Sequence, residues 1–214
     1  MYSLPSNIVV KYLVPTALLL LVFYACTPSD SDLKRQADQS LNLQISFPST
    51  HYDHALDGRL IVLISSKNDS EPRFQLRDDD KTCQAFGMDV NNWQPDKPLQ
   101  FDAKAFGYPI QEFANLPAGQ FYIQVLLHQY ETFNRADGHV VKLPMDRGEG
   151  QQWNRAPGNL YSSPQKIKIK AGQFPKLSIQ LDQKISPIDL PEDSKYIKHI
   201  KIKSKLLNLL TFIT

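Results

Sequence analysis

Apolar and polar side chains alternate along several short stretches of this chain. Every second residue is apolar in residues 41–47, and the same period of two recurs in residues 121–127 and 177–181. Residues 59–65 (RLIVLIS) are apolar on both faces instead. A period of two is typical of a β-strand with one buried face, whereas a short continuous apolar run indicates a strand buried on both faces. These patterns predict a protein built mainly from strands, with 59–65 at the centre of a sheet.

Weaker patterns add further strands. Residues 74–77 and 85–90 are short candidates, and residues 165–170 place two isoleucines on one face and three lysines on the other. Turn residues separate the stretches, and no strand–helix–strand repeat is present. We therefore predict an all-β fold, an immunoglobulin-like or fibronectin-like β-sandwich, over residues 41–184.

Several segments fall outside this strand pattern. Residues 91–112 contain three prolines and predict a long crossing loop. Residues 131–163 predict a longer irregular loop, and loops of that length in compact domains are usually functional or mobile. Residues 185–194 (ISPIDLPEDS) have the composition of an interdomain linker. The lysine- and isoleucine-rich residues 195–214 then predict the truncated start of a following domain.

An uncharged apolar run lies near the N-terminus, in residues 12–25. As a helix it would be about 21 Å long, which is shorter than a bilayer core of about 30 Å. A signal peptide over residues 1–25 is therefore the preferred interpretation, and an uncleaved anchor is the alternative.

The sequence Ala25-Cys26 ends this run and is followed by polar residues. It resembles the lipobox of bacterial lipoproteins, although Phe23 and Tyr24 depart from the usual pattern. The resemblance implies that Cys26 is acylated, that residues 26–40 form a polar tether, and that the protein is exported and anchored to a membrane of the bacterial cell envelope. Ordinary cleavage near Ala25, which would give a periplasmic or secreted protein, is the alternative.

Composition excludes several classes of function. Hydrophobic residues make up 42% of the chain and mean hydropathy is -0.36, which excludes a membrane protein with several spans. The formal net charge of +2 argues against nucleic acid as a partner. The chain lacks G-x-S-x-G, P-loop, H-E-x-x-H and C-x-x-C motifs. We therefore predict no catalytic residue, no metal and no cofactor.

Three stretches resemble the N-terminal region of a family of bacterial secreted proteins: 51–65 (HYDHALDGRLIVLIS), 71–74 (EPRF) and 116–169. In that family a β-sandwich precedes an esterase-type α/β-hydrolase domain, and residues 195–207 resemble the entry to that domain. The resemblance implies a non-catalytic accessory module, a spacer or docking unit, whose partner is an α/β-hydrolase domain that this chain does not contain. A surface lipoprotein whose sandwich binds a carbohydrate or another ligand is the alternative.

The loop at 131–163 holds the candidate site. Its composition allows an ordered loop held by Arg–carboxylate pairs, a docking surface for the hydrolase domain, or a carbohydrate or metal site. Aromatic rings would stack on sugars, and carboxylates would bind Ca²⁺ through oxygen. The candidate binding or docking residues are Arg135, Asp137, His139, Asp146, Glu149, Trp153, Arg155 and Tyr161.

Overall fold

The computed structural model of the protein describes residues 42–170, 173–189 and 192–198. Within these ranges the chain consists of β-strands, loops and two short 3-10 turns at Pro72–Phe74 and Phe113–Asn115. The predicted all-β class is therefore confirmed. The strands are β1 (Leu43–Ser46), β2 (Leu56–Ser65), β3 (Gln84–Trp93), β4 (Leu99–Gln100), β5 (Phe106–Tyr108), β6 (Gly119–Gln129), β7 (Glu131–Asn134), β8 (Val140–Leu143), β9 (Leu160–Tyr161), β10 (Gln165–Ile169), β11 (Leu177–Gln180) and β12 (Gln183–Lys184).

A seven-stranded sheet is the larger of the two packed layers. Its strands follow the order β12-β9-β6-β2-β3-β5, and β10 also pairs with β6. Strand β2 lies between β3 and β6 and is antiparallel to both, with Val62 opposite Phe86 on one side and Val125 on the other. The prediction that the apolar run 59–65 forms a central strand is therefore confirmed.

A three-stranded sheet closes one face of the larger sheet. Its order is β11-β1-β4, with β1 parallel to β11 and antiparallel to β4. The alternating apolar residues of both sheets belong to one hydrophobic core, so the two layers form the predicted sandwich. The core includes Leu43, Ile45, Phe47, Leu60, Val62, Ile64, Phe86, Ile123, Val125, Leu127, Ile167, Ile169 and Ile179.

The structure corrects three local predictions. Residues 74–77 do not form a strand. Pro72–Phe74 is a 3-10 turn instead, and proline fits at its start because no hydrogen bond of a β-ladder needs its missing N–H. The predicted crossing loop 91–112 contains β4 and β5. The segment 131–163 is not irregular throughout, because it contains the hairpin β7–β8 and the short strand β9. These elements are two to four residues long and pair with partners that a local pattern does not reveal.

The start of the predicted linker, residues 185–194, is hydrogen-bonded to the sandwich. The N–H of Ile185 donates to Asn159 O at 2.9 Å, and the N–H of Gly158 donates to Ile185 O at 2.8 Å. The first linker residue therefore still belongs to the β9–β12 pairing. Residues 192–198 contain no strand, so the described part of the predicted following domain is irregular.

Several predictions concern residues outside the described ranges. These are the signal peptide at 1–25, the acylated Cys26, the tether at 26–40 and most of the segment 195–214. Among the described residues no helix has the length and apolar character needed to span a bilayer.

Candidate functional site

The outer face of the seven-stranded sheet is the one that the second sheet does not cover. Side chains alternate between the faces of a strand, so the neighbours of core residues point to this outer face. Arg59 and His128 lie opposite each other there, on β2 and β6, and Ile61 lies one step further along β2. Two irregular segments cover part of this face, the turn at residues 71–76 and the loop at residues 143–157.

A buried glutamine binds the turn, and the chain directly after β9, to the sheet. The side chain of Gln124 is fully buried on β6. Its Oε1 accepts the N–H of Arg73 at 3.0 Å, and its Nε2 donates to Glu71 Oε2 at 2.7 Å and to Ser162 O at 2.9 Å. One amide therefore fixes the turn before β3 and the strand end after β9.

Arg73 continues this network. Its guanidinium lies 3.9 Å from the ring centroid of Tyr161 and 4.5 Å from that of Phe74, and its Nε donates to Glu71 at 2.9 Å. Asn154 Nδ2 donates to Arg73 O at 3.0 Å. The guanidinium is stacked, paired and almost fully buried, an arrangement that fixes its planar geometry. The loop at 143–157 is therefore tied to the turn, which Gln124 in turn binds to the sheet.

The two segments enclose a cleft of about 540 Å³ on the outer face. We name it the outer cleft. Its volume lies within the range of about 300–1,000 Å³ that small-ligand sites occupy. Half-buried strand residues form its floor, and the loop forms its walls. The outer cleft is lined by Arg59, Ile61, Leu76, His128, Leu143, Pro144, Met145, Asp146, Glu149, Gln151 and Trp153.

Glu149 and His128 supply polar groups to the outer cleft. Glu149 is 8% exposed, and its Oε2 accepts the N–H of Arg147 at 2.8 Å. No hydrogen bond among the described residues uses its second carboxylate oxygen. Burial lowers the pKa of His128, and the nearby Glu149 charge opposes this shift only in part. His128 is therefore a neutral imidazole at pH 7, able to donate through one ring nitrogen and accept through the other.

A shallower depression adjoins the outer cleft toward the edge of the sheet. It shares Arg59 and Ile61 with the cleft and ends at two aromatic residues of β5. Phe106 and Tyr108 are 68% and 43% exposed. We call the outer cleft and this depression together the outer groove.

The side chain of Arg59 crosses the sheet between the two parts of the outer groove. It lies so close over Gly87 that a Cβ there would be 2.8 Å from Arg59 Nε, which explains why glycine suits this strand position. Arg59 Nη1 also donates to Asp89 Oδ1 at 2.8 Å. The positive charge at the middle of the groove is therefore compensated.

The structure distributes the candidate loop residues among three places. Asp146, Glu149 and Trp153 are brought together in the outer cleft. Arg155 and Tyr161 are near the turn, where Arg155 lies 5.4 Å from the ring centroid of Phe74. Arg135, Asp137 and His139 form the third group, at the tip of the β7–β8 hairpin. Arg135 pairs with Asp137 at 2.7 Å, and His139 Nδ1 lies 3.2 Å from the same carboxylate.

The ordered-loop interpretation is supported by ion pairs. Besides the pair at the hairpin tip, Arg147 pairs with Glu131 and donates to Pro157 O at 2.8 Å. These contacts join the base of the hairpin to the loop that carries Glu149. Arg–carboxylate pairing thus orders the segment, and part of the same segment also forms the outer cleft.

Sequence reasoning missed the strand residues of the groove. Arg59 and His128 follow from the alternation of β2 and β6, because each is adjacent to a core residue and must face away from the core. The sequence around Phe106 and Tyr108 has no alternating pattern long enough to predict a strand. Their strand has three residues, and only its pairing with β3 places both rings on the outer face.

The part of the outer cleft's lining that the structure describes contains no serine, threonine or cysteine. Ser162 is 1% exposed and its Oγ accepts the N–H of Val125, so its hydroxyl is occupied within the fold. Burial raises the pKa of the Cys83 thiol to about 12, which removes its nucleophilic character. Among the described residues, no group of three or more His, Cys, Asp or Glu side chains is arranged to hold a metal ion. The cleft therefore offers shape, apolar contact and hydrogen bonds, and no nucleophile of these types.

Neither a protein-family model, nor a curated protein, nor a solved structure matches this chain. The resemblance to the N-terminal region of esterase-type proteins therefore stays a prediction.

Proposed function

We propose that this protein is a non-catalytic accessory module of a bacterial envelope hydrolase of the esterase type, and that it binds through the outer groove. One observation carries the proposal. The outer cleft combines apolar side chains with a carboxylate and a neutral imidazole, yet the described residues of its lining include no serine, threonine or cysteine. Such a site can hold a molecule by contact and hydrogen bonding, whereas acyl transfer also needs an activated nucleophile.

The path of the chain after β12 supports a role beside a second domain. An ideal Cβ built on Gly148 would lie 3.7 Å from Ile188 Cδ1, so the linker runs along the loop that carries Glu149. The same loop supplies Leu143 and Met145 to the wall of the outer cleft, where they are 53% and 41% exposed. A hydrolase domain that follows the linker would begin near this loop. The groove would then present a substrate to that domain or form part of the contact with it.

Export and lipid anchoring complete the proposal and have a direct test. Cells grown with labelled palmitate should label the wild-type protein, and Cys26→Ser should abolish the label. Cys83→Ser is the matched control, because Cys83 is 4% exposed and its variant should keep the label. An unlabelled wild-type protein would contradict the lipid anchor and leave a periplasmic or secreted protein.

The absence of catalysis is tested with simple esters. The purified full chain should hydrolyse p-nitrophenyl acetate and butyrate no faster than a heat-denatured sample. Ser162→Ala, Ser163→Ala and His139→Ala cover the hydroxyls and the imidazole of the segment 131–163. Turnover well above the denatured control, and lost in any one of these variants, would contradict the accessory role.

A surface lipoprotein that binds a ligand without a hydrolase is the second candidate, and the outer cleft itself favours it. The two candidates differ in their genetic context. A reading frame for a G-x-S-x-G domain directly downstream in the genomic DNA would support the accessory role. An unrelated gene at that position would favour the independent binding protein.

A further inference from the structure

We infer that the outer groove binds an uncharged glycan chain that lies across the strands of the larger sheet. The inference names the ligand class of the proposed binding site, so it rests on the proposed non-catalytic binding role. It does not depend on a hydrolase partner.

Aromatic side chains lie at both ends of the outer groove. Trp153 is half-buried in the outer cleft, and Phe106 and Tyr108 are exposed at the opposite end on β5. The floor between them crosses the neighbouring strands β6, β2, β3 and β5, and three inter-strand spacings amount to about 14 Å. The groove is therefore long enough for an extended oligosaccharide, with an aromatic platform at each end for the apolar face of a sugar ring.

The polar groups between the platforms suit hydroxyl groups. Glu149 has a carboxylate oxygen that accepts no hydrogen bond from the described residues, although the residue is 8% exposed. Neither the ring nitrogens of His128 nor the indole N–H of Trp153 has a hydrogen-bond partner within the described ranges. The groove thus offers an acceptor, an indole donor and an imidazole that can do either. Sugar hydroxyls donate and accept, so one ligand can satisfy all three.

Other classes of ligand fit this arrangement less well. An anion would meet the carboxylates of Asp146 and Glu149, while Arg59, the only cation among the described residues of the floor, already pairs with Asp89. An acyl chain would cover Glu149 without giving it a hydrogen bond, which is costly for a charged group. A peptide cannot add as a strand here, because the groove lies on the face of the sheet, where the backbone groups are already paired.

Tryptophan fluorescence provides a local signal for binding. The chain has two tryptophans. Trp93 is 5% exposed, and its indole N–H donates to Lys97 O at 2.9 Å, so it is held inside the core. A ligand in the outer groove would therefore change the emission of Trp153. Trp153→Phe should remove the change in emission and keep part of the affinity.

The experiment titrates the full chain, purified in mild detergent, with cellohexaose, xylohexaose, mannohexaose and chitohexaose. Calorimetry and fluorescence should both detect binding of at least one hexasaccharide. Trp153→Ala should weaken that binding about tenfold or more, as expected when a large aromatic contact residue is truncated. Tyr196→Ala is the control, because this ring is 84% exposed and lies outside the groove lining; its affinity should equal that of the wild type.

Two further variants test the polar group and the length of the groove. Glu149→Gln keeps an oxygen for the Arg147 N–H and removes the charge, so it should weaken binding while the thermal melt stays near that of the wild type. Phe106→Ala should weaken binding of the hexasaccharide and leave the corresponding disaccharide unchanged, because a disaccharide does not reach β5 from Trp153.

Three results would overturn the inference. They are no binding of any hexasaccharide, binding that Trp153→Ala leaves intact, and binding of tetramethylammonium, a cation probe, without binding of any oligosaccharide. These results leave the accessory role open. Ester turnover by the chain, in contrast, would contradict the accessory role while the glycan titrations remain interpretable. The two proposals therefore fail in separate measurements.

Discussion

The two faces of the seven-stranded sheet are stabilised in different ways, and two consecutive residues of β6 show the contrast. Val125 and Gln124 are both fully buried. Val125 points to the inner face, into the core shared with the smaller sheet. Gln124 points to the outer face, where its amide makes three hydrogen bonds to the turn and to Ser162.

This difference explains how the outer face of the sheet comes to carry the outer groove. The inner face is closed by aliphatic side chains, whose stabilisation grows with the area removed from water and needs no particular direction. The outer face is held by directional bonds at a few points. Between these points Arg59, Ile61 and His128 remain half-exposed. The same strands thus supply the core on one side and the floor of a binding site on the other.

The largest effect is expected on the inner face. Val125→Asp would bury a carboxylate among apolar side chains without a partner, and it should cost several kcal/mol, enough to unfold a domain of ordinary stability. Chemical denaturation followed by circular dichroism measures the change. Lys168→Asp is the control on the exposed side of β10, where we expect a shift of about 0.5 kcal/mol or less. If both variants unfold at the same denaturant concentration, the assignment of Val125 to the inner face is wrong.

A smaller and more local effect is expected one residue earlier. Gln124→Met keeps the length of the side chain and leaves the Arg73 N–H and Ser162 O without their partners. Buried unsatisfied groups of this kind cost about 1–3 kcal/mol each, so the two together should cost about 2 kcal/mol or more. Trp153 emission should shift as well, because the loop loses part of its attachment. Gln120→Met, at an exposed position of β6, should change neither quantity. A loss of stability with unchanged Trp153 emission would show that the loop does not depend on Gln124.

The smallest effect concerns the hairpin that borders the cleft. Asp57 on β2 pairs with Lys142 on β8 at 2.8 Å, and its pKa lies below the ordinary 3.8, mainly because of the hydrogen bond from Lys142. A lowered folded-state pKa gives stability that is present above the unfolded-state pKa and is lost as the pH falls through the folded-state value. Both partners are partly exposed, so Asp57→Asn should cost about 1 kcal/mol or less at pH 7.

The pH dependence provides the control for this last prediction. Urea unfolding at pH 7 should separate Asp57→Asn from the wild type, and the difference should shrink when the pH falls below 3.8. Asp102→Asn removes an exposed carboxylate that belongs to no described ion pair and keeps an oxygen for the Lys104 N–H, so it should unfold like the wild type at pH 7. A difference between Asp57→Asn and the wild type that is independent of pH would contradict the role of the Lys142 pair.

The sequence predicted most of the inner face and little of the outer groove. Alternation predicted β1, β6, β10 and β11, and the continuous apolar run 59–65 predicted β2, because consecutive residues carry the burial pattern of a strand. Once the strands are known, the same period places Arg59 and His128 on the face away from the core. It did not place them in a site, since nothing local shows that the loop at 143–157 folds back over them.

By itself, the sequence predicted the all-β class, the sandwich, the central position of β2 and the alternating residues that face the core, because neighbouring residues encode both the period of two and the continuous apolar run. Only the tertiary structure decided that Glu149 and Trp153 meet His128, and that Phe106 and Tyr108 end the same groove. These residues come together through contacts between distant segments, such as Gln124 with Arg73 and Asn154 with Arg73. Such contacts form only when the whole chain is folded, so no local pattern of apolar residues predicts them.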